Sequence, residues 1–226
     1  MSPDIDSEYS VVAIDGPAAS GKSTVARKLA KRLGFSYVNS GGLYRAVAWL
    51  AGEHELRPDN WSAVSAQVRK SVFNFYLRNK ELSFLIDGNN PDTHLRDEKV
   101  NRTVSAISAI PEVREFLVAH LREFLTWDNL VMEGRDIGSI VFPDTPYKFY
   151  IDASLEVRAQ RRAAQGQRDD LFFRDRADSS RRASPLTIAE DAHVIDSSSL
   201  TIEGVVGEII GRLKIKRLPE ALALDS

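Results

Sequence analysis

The N-terminal part of the chain alternates between short apolar runs and apolar residues at helical spacing. Residues 11–14 (Val-Val-Ala-Ile) form a β-branched run that is typical of a strand buried on both faces. Helical spacing follows, with apolar residues four apart at Val25, Leu29 and Leu33. Gly34 then stands where a helix ends, and a second apolar run at 35–38 precedes a second helical stretch through 43–50. This order of strand, helix, strand and helix predicts an α/β fold with a parallel sheet covered by helices.

Between Val72 and Ile86 the apolar residues instead alternate in steps of two. A polar stretch at 78–80 divides this segment, and the turn-forming sequence 87–91 (Asp-Gly-Asn-Asn-Pro) closes it. Alternation on both sides of a short polar connection is typical of an antiparallel hairpin rather than of another strand–helix–strand unit. We therefore expect one domain over residues 1–226, with a small antiparallel insertion at about 60–105.

Helical spacing resumes after Pro111, a favourable residue for the first turn of a helix, and continues to Phe124. Three further apolar runs predict strands, at 130–132, 147–151 and 192–195. A last helical pattern covers 205–213. Because the sequence contains no internal repeat and no low-complexity tract, the whole pattern describes a single α/β domain that carries insertions.

Composition narrows the class of protein further. The chain has 30 Lys and Arg against 32 Asp and Glu, so its net charge of −2 provides no general basic surface for nucleic acid or an anionic membrane. The absence of cysteine excludes a disulfide scaffold, a thiolate nucleophile and a zinc ribbon. Residues 1–8 are polar and acidic, unlike a signal peptide, and no apolar stretch approaches the ~20 residues of a membrane-spanning helix. We expect a monomeric, cytoplasmic protein.

The loop after the first predicted strand carries the strongest motif. Residues 16–23 (Gly-Pro-Ala-Ala-Ser-Gly-Lys-Ser) match G-x-x-x-x-G-K-[ST] and lie between a predicted strand and a predicted helix. The glycines let backbone N–H groups converge on phosphate oxygens, and the start of the helix favours anions. Lys22 supplies charge for the β and γ phosphates, and the hydroxyl of Ser23 suits Mg²⁺. The sequence therefore predicts a site for a nucleoside triphosphate.

Several classes of protein bind triphosphates, and the rest of the chain narrows the choice. An Asn-Lys-x-Asp motif, which a GTPase switch uses to bind guanine, does not occur. A motor or transporter ATPase would need a longer chain, with an extended apolar run that ends in a catalytic acid. Here Glu133 follows only the short run at 130–132. This residue is either a carboxylate that orients Mg²⁺-bound water or an ordinary acid at the end of a strand.

The segment from Arg158 to Arg182 contains eight arginines and no lysine. Three interpretations are open: a solvated charged surface, a nucleic-acid patch with only Phe172 and Phe173 for stacking, or a phosphate-binding lid at about 160–182. Transfer between two anionic phosphates requires both to be neutralised, and arginine remains protonated when it is desolvated. We favour the lid because a phosphate loop lies upstream. The sequence offers no obvious general base, which fits an acceptor that is already an anionic phosphate.

Beyond the phosphate loop, several segments resemble bacterial-type cytidylate kinases. They are Ser40-Gly-Gly-Leu-Tyr44-Arg45, the antiparallel insertion, residues 105–114, residues 133–144 (Glu-Gly-Arg-Asp-Ile-Gly-Ser-Ile-Val-Phe-Pro-Asp) and Asp152-Ala-Ser. The resemblance runs from residue 11 to residue 213, nearly the whole chain. It implies the nucleoside-monophosphate-kinase variant of the P-loop fold, with a five-stranded parallel sheet flanked by helices. It also implies transfer of phosphate from ATP, with Mg²⁺, to CMP or dCMP.

The resemblance implies roles for individual residues on the phosphate side of the site. ATP would be held by the phosphate loop, which comprises Gly16, Pro17, Ala18, Ala19, Ser20, Gly21, Lys22, Ser23 and Thr24. The acceptor phosphate would be held by Arg45 and Arg135, with Ser40 nearby. From the motif itself, rather than from the resemblance, Mg²⁺ is expected at Ser23, with Glu133 acting through water if it is the functional acid of the two alternatives above.

The same resemblance places Ser105, Arg114 and Asp136 at positions that contact cytosine. The roles suit the chemistry of the base, because Arg114 can donate to its carbonyl and ring nitrogen while Asp136 accepts from its amino group. Uracil has a carbonyl in place of the amino group. Asp136 would therefore reject uracil, since two acceptors would face each other.

In the lid, Arg174, Asp178 and Arg181 match the family's Arg, Asp and Arg ahead of a Pro-Leu pair, here at 185–186. Asp178 would receive the ribose hydroxyls, and the two arginines would contact phosphates together with Lys22 and Arg135. The lid after Arg162 is shorter than in the longer family members. On the residues alone, two alternatives stay open: a P-loop kinase for UMP, AMP or another small acceptor, and a nucleotide-binding regulator without phosphotransfer.

Overall fold

The computed structural model describes residues 9–164, 166, 175–176 and 186–225. Its strands are β1 (Val11–Asp15), β2 (Ser36–Asn39), β3 (Phe73–Arg78), β4 (Glu81–Ile86), β5 (Leu130–Glu133), β6 (Lys148–Asp152) and β7 (His193–Asp196). Within the described residues these seven strands form one sheet in the order β3-β4-β2-β5-β1-β6-β7.

Five of the strands, β2, β5, β1, β6 and β7, run parallel to their neighbours. β1 lies between β5 and β6, and all five of its residues are buried. Burial on both faces explains why this strand is a continuous apolar run until its last residue, Asp15. The predicted α/β architecture with a parallel sheet is confirmed.

The hairpin predicted between Val72 and Ile86 is confirmed, with β3 and β4 paired in antiparallel register from Phe73 opposite Ile86 to Arg78 opposite Glu81. The hairpin also continues the main sheet, because β4 pairs with β2 through Tyr37 and Glu81. The expected number of five strands was therefore wrong for the sheet as a whole. Besides the five strands above, β4 runs parallel to β2 and β3 pairs antiparallel with β4, which gives seven strands among the described residues.

The helices cover both faces of the sheet. They are α1 (Lys22–Leu33), α2 (Ser40–Glu53), α3 (Trp61–Lys70), α4 (Glu98–Ile107), α5 (Pro111–Glu123), α6 (Leu155–Ala164), α7 (Ile202–Ile215) and the short α8 (Pro219–Leu222). α1 ends as its sequence predicts, because Gly34 adopts the left-handed conformation with φ 71°. No helix in the described part of the chain combines the length and the apolar surface needed to cross a bilayer.

Two apolar layers lie on opposite faces of the sheet, and side chains of β1 alternate between them. Val12 and Ile14 belong to the layer that contains α1 and α7. Val11 and Ala13 belong to the layer that contains α2, α4 and α5. We call the first the donor layer, because the phosphate loop leads into α1, and the second the acceptor layer. The predicted insertion at 60–105 contains α3, the hairpin and most of α4, and it contributes Val64, Phe84 and Val104 to the acceptor layer.

Candidate functional site

The phosphate loop connects the carboxyl end of β1 to α1, and glycine is required at both ends of it. Gly16 has φ 147°, and a Cβ atom there would lie 2.1 Å from the carbonyl oxygen of Ile151. Gly21 has φ 95° and precedes the first residue of α1. Lys22 is buried, and its ammonium group donates a 2.7 Å hydrogen bond to the carbonyl of Pro17. The loop therefore has the compact form and the fixed cation that its motif predicts.

A hydroxyl and a carboxylate meet at the start of α1. Ser23 Oγ donates to Oε1 of Glu133 at 2.6 Å, and the Tyr37 hydroxyl donates to the same oxygen at 3.0 Å. Burial, reinforced by the nearby charge of Glu133, raises the pKa of Tyr37, so this residue stays a donor. Among the described residues no cluster of three or more His, Cys, Asp or Glu side chains forms a cation site of its own. One hydroxyl beside one carboxylate nevertheless suits Mg²⁺, which prefers oxygen ligands and keeps several waters and substrate phosphates.

The N-terminus of α2 lies against the end of β5. Ser40 Oγ donates to the backbone carbonyl of Glu133 at 2.8 Å. The contact is close enough to require glycine at residue 134, where a Cβ atom would lie 2.5 Å from Ser40 Oγ. This packing brings the beginning of α2 next to Arg135, which is half-buried and donates to the carbonyl of Gly134 at 3.4 Å.

Arg45 lies in the second turn of α2, and its guanidinium is held by Leu95 and Asn101. It donates to the carbonyl of Leu95 at 2.8 Å and to Oδ1 of Asn101 at 2.7 Å. Asn101 lies on α4 and its amide donates in turn to the carbonyl of Arg96 at 2.9 Å. A cation is thus oriented by α4 and by the loop that precedes it.

Arg114 and Asp136 form a buried ion pair, although 22 residues separate them in the sequence. Each side chain is only 6% exposed. The guanidinium of Arg114 also donates to the carbonyl of Ser108 at 3.2 Å and lies 5.4 Å from the ring centre of Tyr44. A planar donor and a carboxylate acceptor, both removed from water, can discriminate between ligands by their hydrogen-bonding pattern.

Asp15, the last residue of β1, is a second buried carboxylate near this pair. Its Oδ1 accepts from the amide of Ile137 at 2.8 Å, and its Oδ2 accepts from the amide of Gly138 at 2.7 Å. Burial raises the pKa of Asp15 to about 6, and the charge of Asp136 adds to the increase, while the two amide hydrogen bonds and Lys22 oppose it. Ile137 begins a single π-helical turn, Ile137–Val141.

Most of these groups, although not Asp15 or Asn101, line one cavity of about 850 Å³. Its lining includes phosphate-loop residues, namely Ala18, Ala19, Gly21, Lys22, Ser23 and Thr24. It also includes Ser40, Arg45, Ser105, Arg114, Arg135 and Asp136 from the acceptor layer and the end of β5. This volume lies within the range of small-molecule binding sites.

The structure thus brings most of the predicted site residues together. Gly16, Pro17 and Ser20 do not line the cavity but form the body of the phosphate loop. The helix α6 leads into the segment predicted as a lid; its Arg158 donates to the carbonyl of Ala18 at 3.2 Å and its Arg161 donates to that of Ser20 at 3.1 Å. The predicted lid residues Arg174, Asp178 and Arg181 lie outside the described residues.

Sequence reasoning missed several residues whose side chains contact the site, among them Asp15, Tyr37 and Asn101. Asp15 left a signal, because a carboxylate at the end of a wholly buried strand needs a specific partner. No feature of the sequence distinguishes Tyr37 from other strand residues or Asn101 from other helix residues.

The family model that matches this chain and three of its relatives are all described as cytidylate kinases. A family model described as cytidylate kinase matches residues 12–215. The cytidylate kinase of Caldanaerobacter subterraneus subsp. tengcongensis is 41% identical over 209 residues, which cover 88% of this chain and 92% of that protein. The cytidylate kinases of Clostridium botulinum (strain Langeland) and Thermodesulfovibrio yellowstonii are each 37% identical, and each match covers 90% of this chain and 97% of the relative.

Proposed function

The chain belongs to the cytidylate kinase family, and on that premise we propose that its phosphate loop and its Arg114–Asp136 pair bind the two substrates of the reaction. The enzyme is an ATP-dependent kinase that transfers the γ-phosphoryl group of ATP to CMP or dCMP, giving ADP and CDP or dCDP. The observation that carries the residue assignment is the shared cavity, whose lining includes both Lys22 and Ser23 of the phosphate loop and the Arg114–Asp136 pair.

At the acceptor end, Arg114 and Asp136 bind cytosine. The carboxylate accepts from the amino group of the base, and the guanidinium donates to the ring nitrogen and the carbonyl. The two side chains are paired with each other in the structure, so their geometry is set before a base arrives. Ser105, which also lines the cavity, completes the contact with the base.

In the middle of the cavity, Arg45 and Arg135 bind the acceptor phosphate with Ser40 beside them. Two guanidinium groups reduce the repulsion between an acceptor phosphate and a triphosphate that approach head to head. An oxygen of the acceptor phosphate attacks the γ-phosphorus of ATP while the bond from that phosphorus to the β,γ-bridging oxygen breaks, and ADP leaves with the electron pair. The attacking oxygen is anionic at neutral pH, so the enzyme needs no general base.

At the donor end, the backbone N–H groups of the phosphate loop, which Pro17 lacks, and the ammonium group of Lys22 bind the β and γ phosphates. Ser23 and Glu133 would hold Mg²⁺, Glu133 through water, and the ion when bound neutralises charge on the phosphates. The role of the chain here is to fix Glu133, which it does with the hydroxyls of Ser23 and Tyr37.

The predicted subdivision of the chain belongs to the same proposal. The insertion at about 60–105 receives the acceptor, and the segment at about 160–182 closes over the phosphates with Arg174, Asp178 and Arg181. Arg158 and Arg161, on the helix that leads into this segment, contact the phosphate loop, which supports its assignment as a lid. That the protein is monomeric, cytoplasmic and independent of nucleic acid stays a prediction.

A coupled assay of ADP release with CMP, dCMP, UMP and AMP as acceptors tests this assignment. We expect turnover with CMP and dCMP and a much lower kcat/KM with UMP and AMP. In Asp136→Ala the ratio of kcat/KM for CMP to that for UMP should fall at least about tenfold, because the acceptor for the amino group is lost. The KM for ATP should change little.

Asp59→Asn is a matched control, since it removes one negative charge from an exposed residue paired with Arg57. Equal losses for ATP and for CMP in Asp136→Ala would reject its role in binding cytosine. Turnover of the wild type with UMP or AMP alone would reject the assignment of the cavity.

A further inference from the structure

Asp15 occupies an unusual place in the sheet. Side chains of β1 alternate between the two apolar layers, so Asp15 lies on the same face as Val11 and Ala13, which is the face of the acceptor layer. The next residue, Gly16, begins the phosphate loop. One carboxylate therefore lies at the boundary between the donor half and the acceptor half of the cavity.

The hydrogen-bond partners of Asp15 belong to the loop that carries Arg135 and Asp136, the two residues proposed to contact the acceptor nucleotide. Its two oxygens accept from the amides of Ile137 and Gly138, which directly follow Arg135 and Asp136. These contacts span 122 and 123 residues of sequence. Both hydrogen bonds are buried, and each is made by one oxygen to one amide, so the loop has one favourable position relative to the end of β1.

A role in folding alone does not account for this arrangement. A carboxylate that is 6% exposed carries a large desolvation penalty, and two neutral acceptors would satisfy the two amides without that penalty. Asp136 also lies close enough to add to that penalty through charge repulsion. A costly group retained between the two halves of a site is typical of a functional constraint.

We propose that Asp15 is a positioning residue that fixes the loop of Arg135 and Asp136 relative to the phosphate loop, and so sets the alignment of the acceptor with the donor. This inference rests on the proposed function, because it assigns a purpose to a contact between two parts of the proposed site. Asp15 does not line the cavity, so it acts through the backbone of residues 136–138 rather than by contact with a substrate.

Asp15→Asn in the full-length chain tests this role. The amide keeps the size of the side chain but offers an NH₂ group where one backbone N–H needs an acceptor. We expect the KM for CMP to rise about tenfold or more and the preference for CMP over UMP to fall, as expected when one charged hydrogen bond is lost. The KM for ATP should change by less than about threefold.

Asp15→Ser provides a second variant, because its shorter hydroxyl leaves at least one of the two amides without an acceptor. Asp59→Asn is again the matched control for the loss of one carboxylate charge. Thermal unfolding of each variant establishes that it is folded before its kinetics are compared. The wild-type acceptor panel tests the proposed function separately, since it does not involve Asp15.

A folded Asp15→Asn with wild-type KM and selectivity for CMP overturns the inference and leaves the proposed function intact. Equal increases in KM for ATP and CMP also overturn it, because they indicate general loosening of the site. If neither variant folds, Asp15 serves the fold and the inference is likewise rejected. A wild type that does not phosphorylate CMP rejects the proposed function and this inference with it.

Discussion

The hydroxyl of Ser23 donates a 2.6 Å hydrogen bond to Oε1 of Glu133. Ser23 is the last residue of the phosphate-loop motif and Glu133 ends the neighbouring strand β5, so this bond joins two elements that are 110 residues apart in sequence. The carboxylate of Glu133 is thereby directed at the start of α1. This geometry favours the interpretation of Glu133 as a functional acid over that of an ordinary residue at the end of a strand.

Glu133→Gln is expected to lower kcat and to raise the Mg²⁺ concentration needed for half-maximal rate. The amide keeps the volume of the side chain but removes the negative charge that would orient Mg²⁺-bound water. Steady-state rates over a range of Mg²⁺ concentrations measure the change. Tyr37→Phe removes one of the two donors to Glu133 and should have the smaller effect. An unchanged Mg²⁺ dependence in Glu133→Gln would contradict the assignment.

Lys22→Ala should reduce kcat at least about a hundredfold, because the cation fixed above the phosphate loop is lost where negative charge must be neutralised. Rates of ADP release at saturating ATP and CMP measure this loss. Lys31→Ala, at the exposed far end of the same helix, is the matched control. Near-normal rates in Lys22→Ala would show that the loop does not hold the transferred phosphate.

Asn101 orients Arg45 through a 2.7 Å hydrogen bond, and its substitutions should affect the acceptor. Asn101→Asp places a negative charge beside the guanidinium, so it should compete with the acceptor phosphate and raise the KM for CMP about tenfold or more. Asn101→Ala only removes an acceptor and should raise the KM less. Asn74→Asp on β3 introduces the same charge at an exposed position. Wild-type KM values in both Asn101 variants would disprove the role.

Gly134→Ala should weaken both the fold and the acceptor site. Its Cβ atom would lie 2.5 Å from Ser40 Oγ and 2.8 Å from Ile137 Cδ1, so the start of α2 and the loop of Asp136 must separate. We expect the free energy of unfolding to fall by about 1–3 kcal/mol, with an increased KM for CMP. Gly211→Ala is the contrasting control, because its Cβ would meet nothing within 4 Å in the middle of α7. Urea unfolding curves that show no difference between the two variants would contradict the steric argument.

Asp15 should give the stability of the protein a defined dependence on pH. Its pKa rises from 3.8 to about 6 on folding, so the folded state binds more protons than the unfolded state between these values. The contribution of Asp15 to the free energy of unfolding is therefore largest below pH 4 and falls by about 3 kcal/mol as the pH rises through 6. Urea unfolding of the wild type and of Asp15→Asn over this range measures the effect as the difference between the two. A difference that does not vary with pH would show that the carboxylate titrates normally.

Prediction from sequence succeeded where the signal is local. The bounds of α1 follow from Val25, Leu29, Leu33 and the terminating Gly34, because apolar spacing and a left-handed glycine act within one helix. The helices α3, α4 and α6 were not predicted. In α6 only Arg158 is buried, so no apolar stripe marks this helix in the sequence.

The number of strands in the sheet and the hydrogen bonds and ion pairs of the site depend on contacts between residues far apart in the sequence. No local sequence pattern records such contacts. The hairpin joins the sheet through one residue pair, Tyr37 and Glu81, and a single pair leaves no periodic signature. Arg114 and Asp136 were placed at the site by resemblance to a family, and their direct pairing required the fold. The contact of Asp15 with the loop after Asp136 required the fold as well.

The two apolar layers also bear on how such an enzyme can diverge. Val12 and Ile14 pack in the layer of α1, whereas Val11 and Ala13 pack in the layer of α2, α4 and α5, and the two layers are separated by the sheet. Mutations that reshape the acceptor half can therefore accumulate in one layer while the other continues to bind the same triphosphate. A lineage built on this sheet can exchange one nucleobase preference for another without rebuilding the machinery that handles ATP.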